Sequence, residues 1–277
     1  MEKINIMING LPGNVAKIVA KASLKDERFN LIPFSLTGQD IKEDNIQIDN
    51  LNLSLLKPNV RDSKIKTIKS MFDTIIAIDF THPDSINSNS LFYIKNKIPF
   101  VMGTTGGDRK KLKQDIKNSK VLSVVAPNMA KQIVGFQAML EYAADNFPDL
   151  FKGYSLEIIE SHQKGKADTS GTAKAMAGYF NKLGVDFSIE DIKKIRNPKI
   201  QSNVLKVPKE HLKGHGWHTY TLRSEDGTAF FEFKHNINGR DIYSNGTFDA
   251  ILFLIKKLKE PLPSKTFFTM ADVLLDN

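Results

Sequence analysis

The sequence predicts an α/β protein in two parts. Residues 1–130 form a parallel sheet covered by helices, and residues 131–240 form an α+β domain with a mainly antiparallel sheet. Three observations lead there. Short apolar runs alternate with stretches of helical period as far as about residue 130, the pattern of successive strand–helix–strand units. Those runs end in loops such as "GLPGN" and "GTTGG", as strands of an open sheet do. Beyond residue 130 the alternation yields to one long amphipathic helix and to two alternating stretches around "EDG", a hairpin signal.

In "KINIMIN", residues 3–9, Ile4, Ile6 and Ile8 share one side of an extended chain. After "GLPGN", Val15, Ile18, Val19 and Ala22 recur at i, i+3, i+4 and i+7, one face of a helix. "NLIPFSL" reads as the second strand; "NIQIDNLNLSLL" has strand character but no evident place in the sheet. "KTIKSMF" is a short helix before "DTIIAIDFT", an apolar run suited to a strand buried on both faces. "SINSNSLFYIKNK", "IPFVMGTTG", "DRKKLKQDIKNS" and "KVLSVVAPN" continue as helix, strand, helix and strand. The loops "GLPGN", "DFTHPD", "GTTGG" and "APNMA" therefore share the carboxyl edge, where open parallel sheets bind ligands.

In "KQIVGFQAMLEYAADNF", Ile133, Phe136, Leu140, Ala143 and Phe147 lie three or four apart on a helical stripe. "YSLEIIE" is a strand, and a helix follows from about Thr172 to Leu183. The polar segment from there to about Gly216 carries no periodic signal. "WHTYTLRS" and "TAFFEFKHNI" form the hairpin, with "YTL" and "FFEF" as sheet core, and "GTFDAILFLIKKL" is the last helix.

Composition narrows the function classes. Of 277 residues 41% are hydrophobic and 25% charged, ordinary for a globular protein. The chain has no cysteine, which excludes disulfides, thiolate metal sites and cysteine nucleophiles and fits a reducing compartment. No apolar run approaches the roughly 20 residues that span a bilayer. "MEKINIMING" lacks the basic, apolar, small-residue order of a secretory leader. The expectation is a protein of the cytoplasm, or of a plastid where the host has one, without membrane contact. A net charge of +8 is compatible with nucleic acid, an anionic membrane surface or small anionic ligands. The lysines are interspersed with acidic and polar residues and read as exposed helix faces, so charge alone decides nothing. The expectation of a small anionic ligand and no nucleic acid rests on the motifs below.

"NGLPGNVA" lies between a strand and a helix, where backbone amides can hold a pyrophosphate, as in a Rossmann-like nucleotide-binding domain. Gly10 permits the tight turn and Gly13 the approach of the phosphates. Pro12 and Ala16 depart from the full Gly-x-Gly-x-x-Gly pattern. On the second strand, Ser35 and Thr37 stand where an NAD-selective site places an acid, and the first carboxylate is delayed to Asp40. Hydroxyls there tolerate a 2′-phosphate, which favours NADPH over NADH as cofactor.

"ESHQKGKADTSGTAKAM", residues 160–176, runs from a strand into a helix. His162 can exchange a proton near neutral pH, and Lys166, four residues on, offers a cation to a carboxylate. Ser170, Gly171 and Thr172 open the helix, where amides and hydroxyls seat an anion. The bland alternative is an N-cap beside solvated lysines. His211, His215 and His218 have spacings that attract zinc, but without acidic or cysteine partners no metal is expected.

Residues 160–176 resemble the active-site signature of the dihydrodipicolinate (4-hydroxy-tetrahydrodipicolinate) reductases, in the form of the plant-type branch. The resemblance runs nearly end to end, through "NGLPGNVA", "DFTHP", "GTTG", "APNMAKQ", "HGWHTYTLRSEDGT", "FEFKHNINGRDIY" and "GTFDAILFLIKK". It implies NAD(P)H-dependent reduction of the cyclic dicarboxylate in lysine and diaminopimelate biosynthesis. His162 becomes the general acid/base and Lys166 its proton-donating, substrate-binding companion. Ser170, Gly171 and Thr172 would hold a substrate carboxylate, and Gln163 replaces a second histidine of many bacterial relatives. Gly10, Leu11, Pro12, Gly13, Asn14 and Val15 would line the cofactor, with Gly103, Thr104 and Thr105 and with Ala126, Pro127, Asn128 and Met129. Asp79, Phe80 and Thr81 belong to the nicotinamide-side loops. A homotetramer built through the second domain, closure of the domains around the ligands, and a segment from about residue 241 to 277 that completes the first domain are implied too. The rival readings are another two-domain NAD(P)-dependent reductase and a non-catalytic nucleotide-sensing regulator.

Overall fold

The computed structural model describes residues 2–261 and 265–276. The chain forms two compact units. One comprises the described residues up to Val134 and from Asp241 onward, the other Gly135–Arg240.

The first unit opens with β1 (Ile4–Asn9) and α1 (Asn14–Leu24), whose Ala16, Val19 and Ala20 are buried. β2 (Phe29–Leu31) pairs with β1 in parallel. Here the single strand expected over "NLIPFSL" divides, because Pro33 has no amide to continue a ladder. β3 (Phe34–Leu36) leaves for a second, small sheet. β4 (Asn45–Ile48) and β5 (Leu51–Leu56) form a hairpin through Asp49, at φ 49°, and β3 runs parallel to β5. The segment without a place in the main sheet thus builds a three-stranded sheet of its own. α2 (Pro58–Met71) starts earlier than its apolar spacing suggests, since Pro58 occupies a first-turn position that needs no amide. β6 (Ile75–Asp79), α3 (Ile86–Lys95), β7 (Phe100–Met102), α4 (Arg109–Lys117) and β8 (Ser123–Val125) complete the alternation.

α5 (Lys131–Asn146) leads into the second unit, where Leu140 and Ala144 are buried while Phe147, expected on the same stripe, is 53% exposed. β9 (Tyr154–His162) is followed by α6 (Gly171–Lys182), which buries Ala173, Met176, Ala177 and Phe180 at i, i+3, i+4 and i+7. The polar segment without periodic signal contains β10 (Lys193–Ile195) and α7 (Pro198–Asn203). β11 (His215–Ser224) and β12 (Phe230–Asn238) are the expected hairpin. The sheet has the order β10-β9-β11-β12, with β11 antiparallel to both neighbours and β10 parallel to β9. Tyr220 and Leu222 are core, as expected, but Phe230 and Phe231 are exposed; Phe231 packs edge-on against Phe151.

The chain returns to the first unit as α8 (Ile242–Leu258), which packs on α1 and buries Phe248, Ile251 and Leu254. β13 (Phe267–Phe268) then adds beside β8, and α9 (Met270–Leu275) is capped reciprocally by Thr269 and Asp272. The main sheet reads β13-β8-β7-β6-β1-β2, all parallel, bearing out the expected α/β architecture. No described helix is long and apolar enough to cross a membrane.

Candidate active site

β8, β7, β6 and β1 are consecutive in the main sheet, so their four loops stand side by side at its carboxyl edge. Close approach is built into two glycines. Gly10 has φ 102°, and a Cβ there would lie 2.2 Å from the Phe80 carbonyl oxygen. A Cβ on Gly103 would meet the Phe80 ring at 2.2 Å. Gly13 is the N-cap of α1 and provides no side chain to its amides, so the positive end of α1 faces outward beside exposed Gly13 and Asn14, with Pro12 and Val15 half-buried. This cradle fits a dinucleotide pyrophosphate. Ala16, at a glycine position of the fingerprint, is 1% exposed and packs in the core. Leu11 is likewise a core side chain.

Four polar side chains among the sequence-predicted cofactor residues, Ser35, Thr37, Asp79 and Thr104, turn inward instead. Ser35 and Thr37 are buried. The Ser35 hydroxyl accepts from the Leu11 amide at 3.4 Å, and Thr37 donates to the Leu11 carbonyl at 2.7 Å. Pairing of β3 with β5 sets this direction, so these hydroxyls brace the glycine loop rather than face a ribose. The Asp79 carboxylate is fully buried and accepts from the Thr81 amide and hydroxyl, the Thr104 hydroxyl, Asn89 and Tyr93. It ties the loops after β6 and β7 together. Phe80, Thr81, Gly103 and Asn128 are half-buried, Thr105 and Pro127 are exposed, and Ala126, Met129 and Thr104 are buried.

In the second unit, the signature "ESHQKGKADTSGT" folds back on itself. Ser170 caps α6, its hydroxyl accepting from the Ala173 amide at 3.0 Å, while its own amide donates to Glu160 Oε2 at 2.9 Å. With these donors engaged, the amides of Gly171 and Thr172 are the uncommitted ones of the first turn among the described residues. Glu160 is fully buried and paired with Arg196 Nη2. Burial alone would push its carboxyl up, but the His218 ring, Arg196 and Ser170 outweigh this and hold it well below the usual carboxylate range.

The sheet register aligns Glu160, His218 and His235 in one row across β9, β11 and β12. The rings of His162 and His218 are 5.1 Å apart, those of His218 and His235 4.7 Å. His162 Nδ1 lies 3.2 Å from the His215 carbonyl oxygen. A carbonyl only accepts, so Nδ1 carries the proton and Nε2 is the lone-pair nitrogen. His162 Nε2 is buried and has no hydrogen-bond partner among the described residues. Burial pushes this imidazole down to about 4, reinforced by His218, Arg196 and Lys166 and opposed by Glu160. Burial brings His235 down to about 3 and lowers His215 as well. Lys166 is half-buried, on a turn closed by its amide to the Gln163 carbonyl, and Gln163 and Thr172 are half-buried beside it in sequence.

The three histidines spaced for zinc go separate ways. His215 bonds Ser161 and the His211 carbonyl, and His218 bonds Ser170. A different trio, Glu160, His162 and His218, brings its ligand atoms within 4.8 Å of one another. Arg196 and the Ser170 amide already hold the Glu160 oxygens, and a guanidinium beside a divalent cation is repulsive. Those contacts disfavour a cation between the three side chains.

Two family models divide the chain between them: dihydrodipicolinate reductase, N-terminus, over residues 4–129, and dihydrodipicolinate reductase, C-terminus, over residues 133–274. The chain belongs to the dihydrodipicolinate reductase family. It is 42% identical over 271 residues to 4-hydroxy-tetrahydrodipicolinate reductase 2, chloroplastic, of Arabidopsis thaliana, covering 98% of this chain and 77% of the relative. It is 41% identical over 269 residues to the probable 4-hydroxy-tetrahydrodipicolinate reductase 1, chloroplastic, of Oryza sativa subsp. japonica, covering 97% and 78%. Among solved structures it resembles the dipicolinate-bound dihydrodipicolinate reductase of Paenisporosarcina sp. TG-14. The TM-score is 0.67 at 20% identity, over 97% of this chain and 98% of that one, a likeness of fold. Dihydrodipicolinate reductases are oxidoreductases that use a nicotinamide nucleotide.

Sequence reading of the reductase signature missed Arg196, Gln201, Gly216, His218 and His235. Glu160 opens the motif, where the sequence alone gives it no role. Gln201 Nε2 donates to the His162 carbonyl at 2.7 Å. Gly216 faces His162 across the sheet, where a Cβ would come within 3.1 Å of the ring. Four of the six histidines, His162, His215, His218 and His235, fall within β9, β11 and β12, and which of them meet depends on register alone.

Proposed function

We propose that this chain reduces 4-hydroxy-tetrahydrodipicolinate to tetrahydrodipicolinate, a step of lysine and diaminopimelate biosynthesis in which one hydride from NAD(P)H and one proton are taken up and the 4-hydroxyl is lost as water. The observation that carries the reading is the meeting, in a reductase-family chain, of an imidazole with an unpartnered Nε2, the Lys166 loop and the open amino end of α6.

The substrate is a small dianion. The Gly171 and Thr172 amides, with the α6 dipole behind them, seat one carboxylate, and Lys166 supplies the countercharge. Ser170 supports this seat as its cap, and Gln163 offers an amide contact. Reduced nicotinamide, when bound, supplies the hydride. His162 Nε2 handles the proton that the reduced ring then requires. Neutral in the buried site, the imidazole is charged more readily once a dianion is near, which couples proton uptake to substrate binding. Lys166 stabilises charge developing on the ring nitrogen.

The loops of Gly10–Val15, Thr81, Gly103–Thr105 and Ala126–Met129 hold the dinucleotide in this reading. NADPH is favoured over NADH, because no carboxylate follows β3 before Asp40 to oppose a 2′-phosphate. A homotetramer through the second unit is supported by β12, an edge strand that exposes Phe230 and Phe231. The chloroplastic relatives support a plastid location where the host has one.

The test is NADPH oxidation dependent on the cyclic substrate, with Lys166→Ala losing most of the turnover. Parallel titrations with NADPH and NADH, with and without pyridine-2,6-dicarboxylate, establish cofactor preference. Wild-type turnover by Lys166→Ala would overturn its role, and absence of substrate-dependent oxidation would overturn the reading.

A further inference from the structure

The loop between β9 and α6 that carries Lys166 has little to hold it by packing. Lys164, Gly165, Ala167 and Asp168 are exposed, and a Cβ on Gly165 would meet nothing within 4 Å. Its anchorage comes from one side chain of the segment that had no periodic signal. Arg196 Nε donates to the Lys166 carbonyl at 2.7 Å and Nη2 to the Asp168 carbonyl at 3.3 Å. Nη1 reaches the Glu160 and Ile195 carbonyls at 3.4 and 3.3 Å, and Nη2 also pairs with Glu160 Oε1. Glu160 in turn accepts from the Ser170 amide. One guanidinium therefore fixes the middle of the loop directly and its far end through Glu160.

We propose that Arg196 is a positioning residue for substrate: its guanidinium clamps the 163–170 loop to the end of β9, setting Lys166 and the amino end of α6 in one binding geometry. The inference deepens the reductase reading and rests on it. A buried ion pair is weak evidence for stability, because desolvation offsets most of the attraction, and an apolar pair of similar volume serves a core as well. What an apolar pair cannot do is address five oxygens at fixed directions. Lysine cannot either, being a point charge on a flexible stem, whereas the guanidinium is a planar fork. The chemistry of Arg196 therefore matches the geometry of the loop rather than the needs of the core.

Arg196→Lys separates the two roles, since it keeps a cation against Glu160 and loses the fork. Calorimetric affinity for pyridine-2,6-dicarboxylate is expected to fall about tenfold or more, as lost charge-assisted hydrogen bonds convert to binding. NADPH affinity and the thermal midpoint should hold, and KM for the cyclic substrate should rise more than kcat falls. Because Arg196 acts partly through Lys166, the same substitution in a Lys166→Ala background should have a smaller effect on dicarboxylate affinity. Amide hydrogen exchange over residues 164–170 should quicken in Arg196→Lys without any ligand present. If Arg196→Lys does not fold, Arg196→Met with Glu160→Gln removes both charges together and is read in the same way. Unchanged exchange in the loop, or equal affinity losses in both backgrounds, overturns the clamp. A wild-type protein that shows the clamp by exchange yet binds no dicarboxylate overturns the reductase reading instead.

Discussion

Glu160→Gln tests the centre of the second unit most directly. The side chain keeps its shape, but one amide oxygen must replace two carboxylate oxygens that accept from Arg196 on one side and from the Ser170 amide on the other. Whichever way the amide turns, its NH2 group faces a donor. Glu160 is 0% exposed and Arg196 17%, so solvent compensates little. Removing one partner of a buried pair costs about 3–5 kcal/mol, a large part of the ~5–15 kcal/mol that holds a typical domain. Trp217, the one tryptophan of the chain, lies in β11, so its fluorescence in a urea titration reports unfolding of the second unit. The expected result is a loss of about 3–5 kcal/mol. A loss below ~1 kcal/mol would mean that the pair behaves as a screened surface bridge and would refute the reasoning. A second readout has a fixed sign. The Glu160 charge raises His162, so its removal should move the His162 titration below about 4, and an upward move would contradict the electrostatics described.

Other outcomes follow from the same geometry. His162, lowered to about 4, and His235, lowered to about 3, stay neutral in the fold above those values, while in the unfolded chain they take protons near ~6.5; the lowering of His215 acts in the same direction. Between those limits the unfolded state binds more protons, so stability is full above ~6.5 and declines as pH falls toward 4. A urea midpoint that is level from pH 7 to 4.5 would contradict this. Gly216→Ala places a methyl 3.1 Å from His162 Cε1, and displacing the ring by a few tenths of an ångström should lower kcat roughly tenfold with NADPH affinity kept; steady-state kinetics with unchanged kcat would count against the assigned ring position. Ser170→Ala removes both the cap on the Ala173 amide and the partner of His218 Nε2, and should cost about 2–4 kcal/mol by thermal unfolding, with Ser170→Thr close to wild type.

Much of the site was legible because it is local. Residues 160–176 hold a strand end, a turn and a helix cap in one contiguous stretch, and "NGLPGNVA" does the same for the first sheet edge. Helix α6 was legible because its apolar residues keep one period against one face. The parts that were not legible depend on partners far away in the chain. β13 is two residues long and exists only because β8 offers an edge, and β3 leaves the main sheet because β5 receives it.

By itself the sequence determined the main alternation of strands and helices up to β8, the helices α5, α6 and α8 and the β11–β12 hairpin, the family to which the chain belongs, and the stretch that holds His162, Lys166 and the open end of α6. Local spacing and backbone chemistry suffice for that. Tertiary structure alone decided that His218 and His235 join Glu160 in one row, that Arg196 reaches back to the Lys166 loop, and that Ser35, Thr37 and Asp79 face inward. A polar side chain has no period of its own. Its direction is set by strand register and by the hydrogen bonds left to satisfy once apolar surfaces are buried, and those are properties of the whole fold.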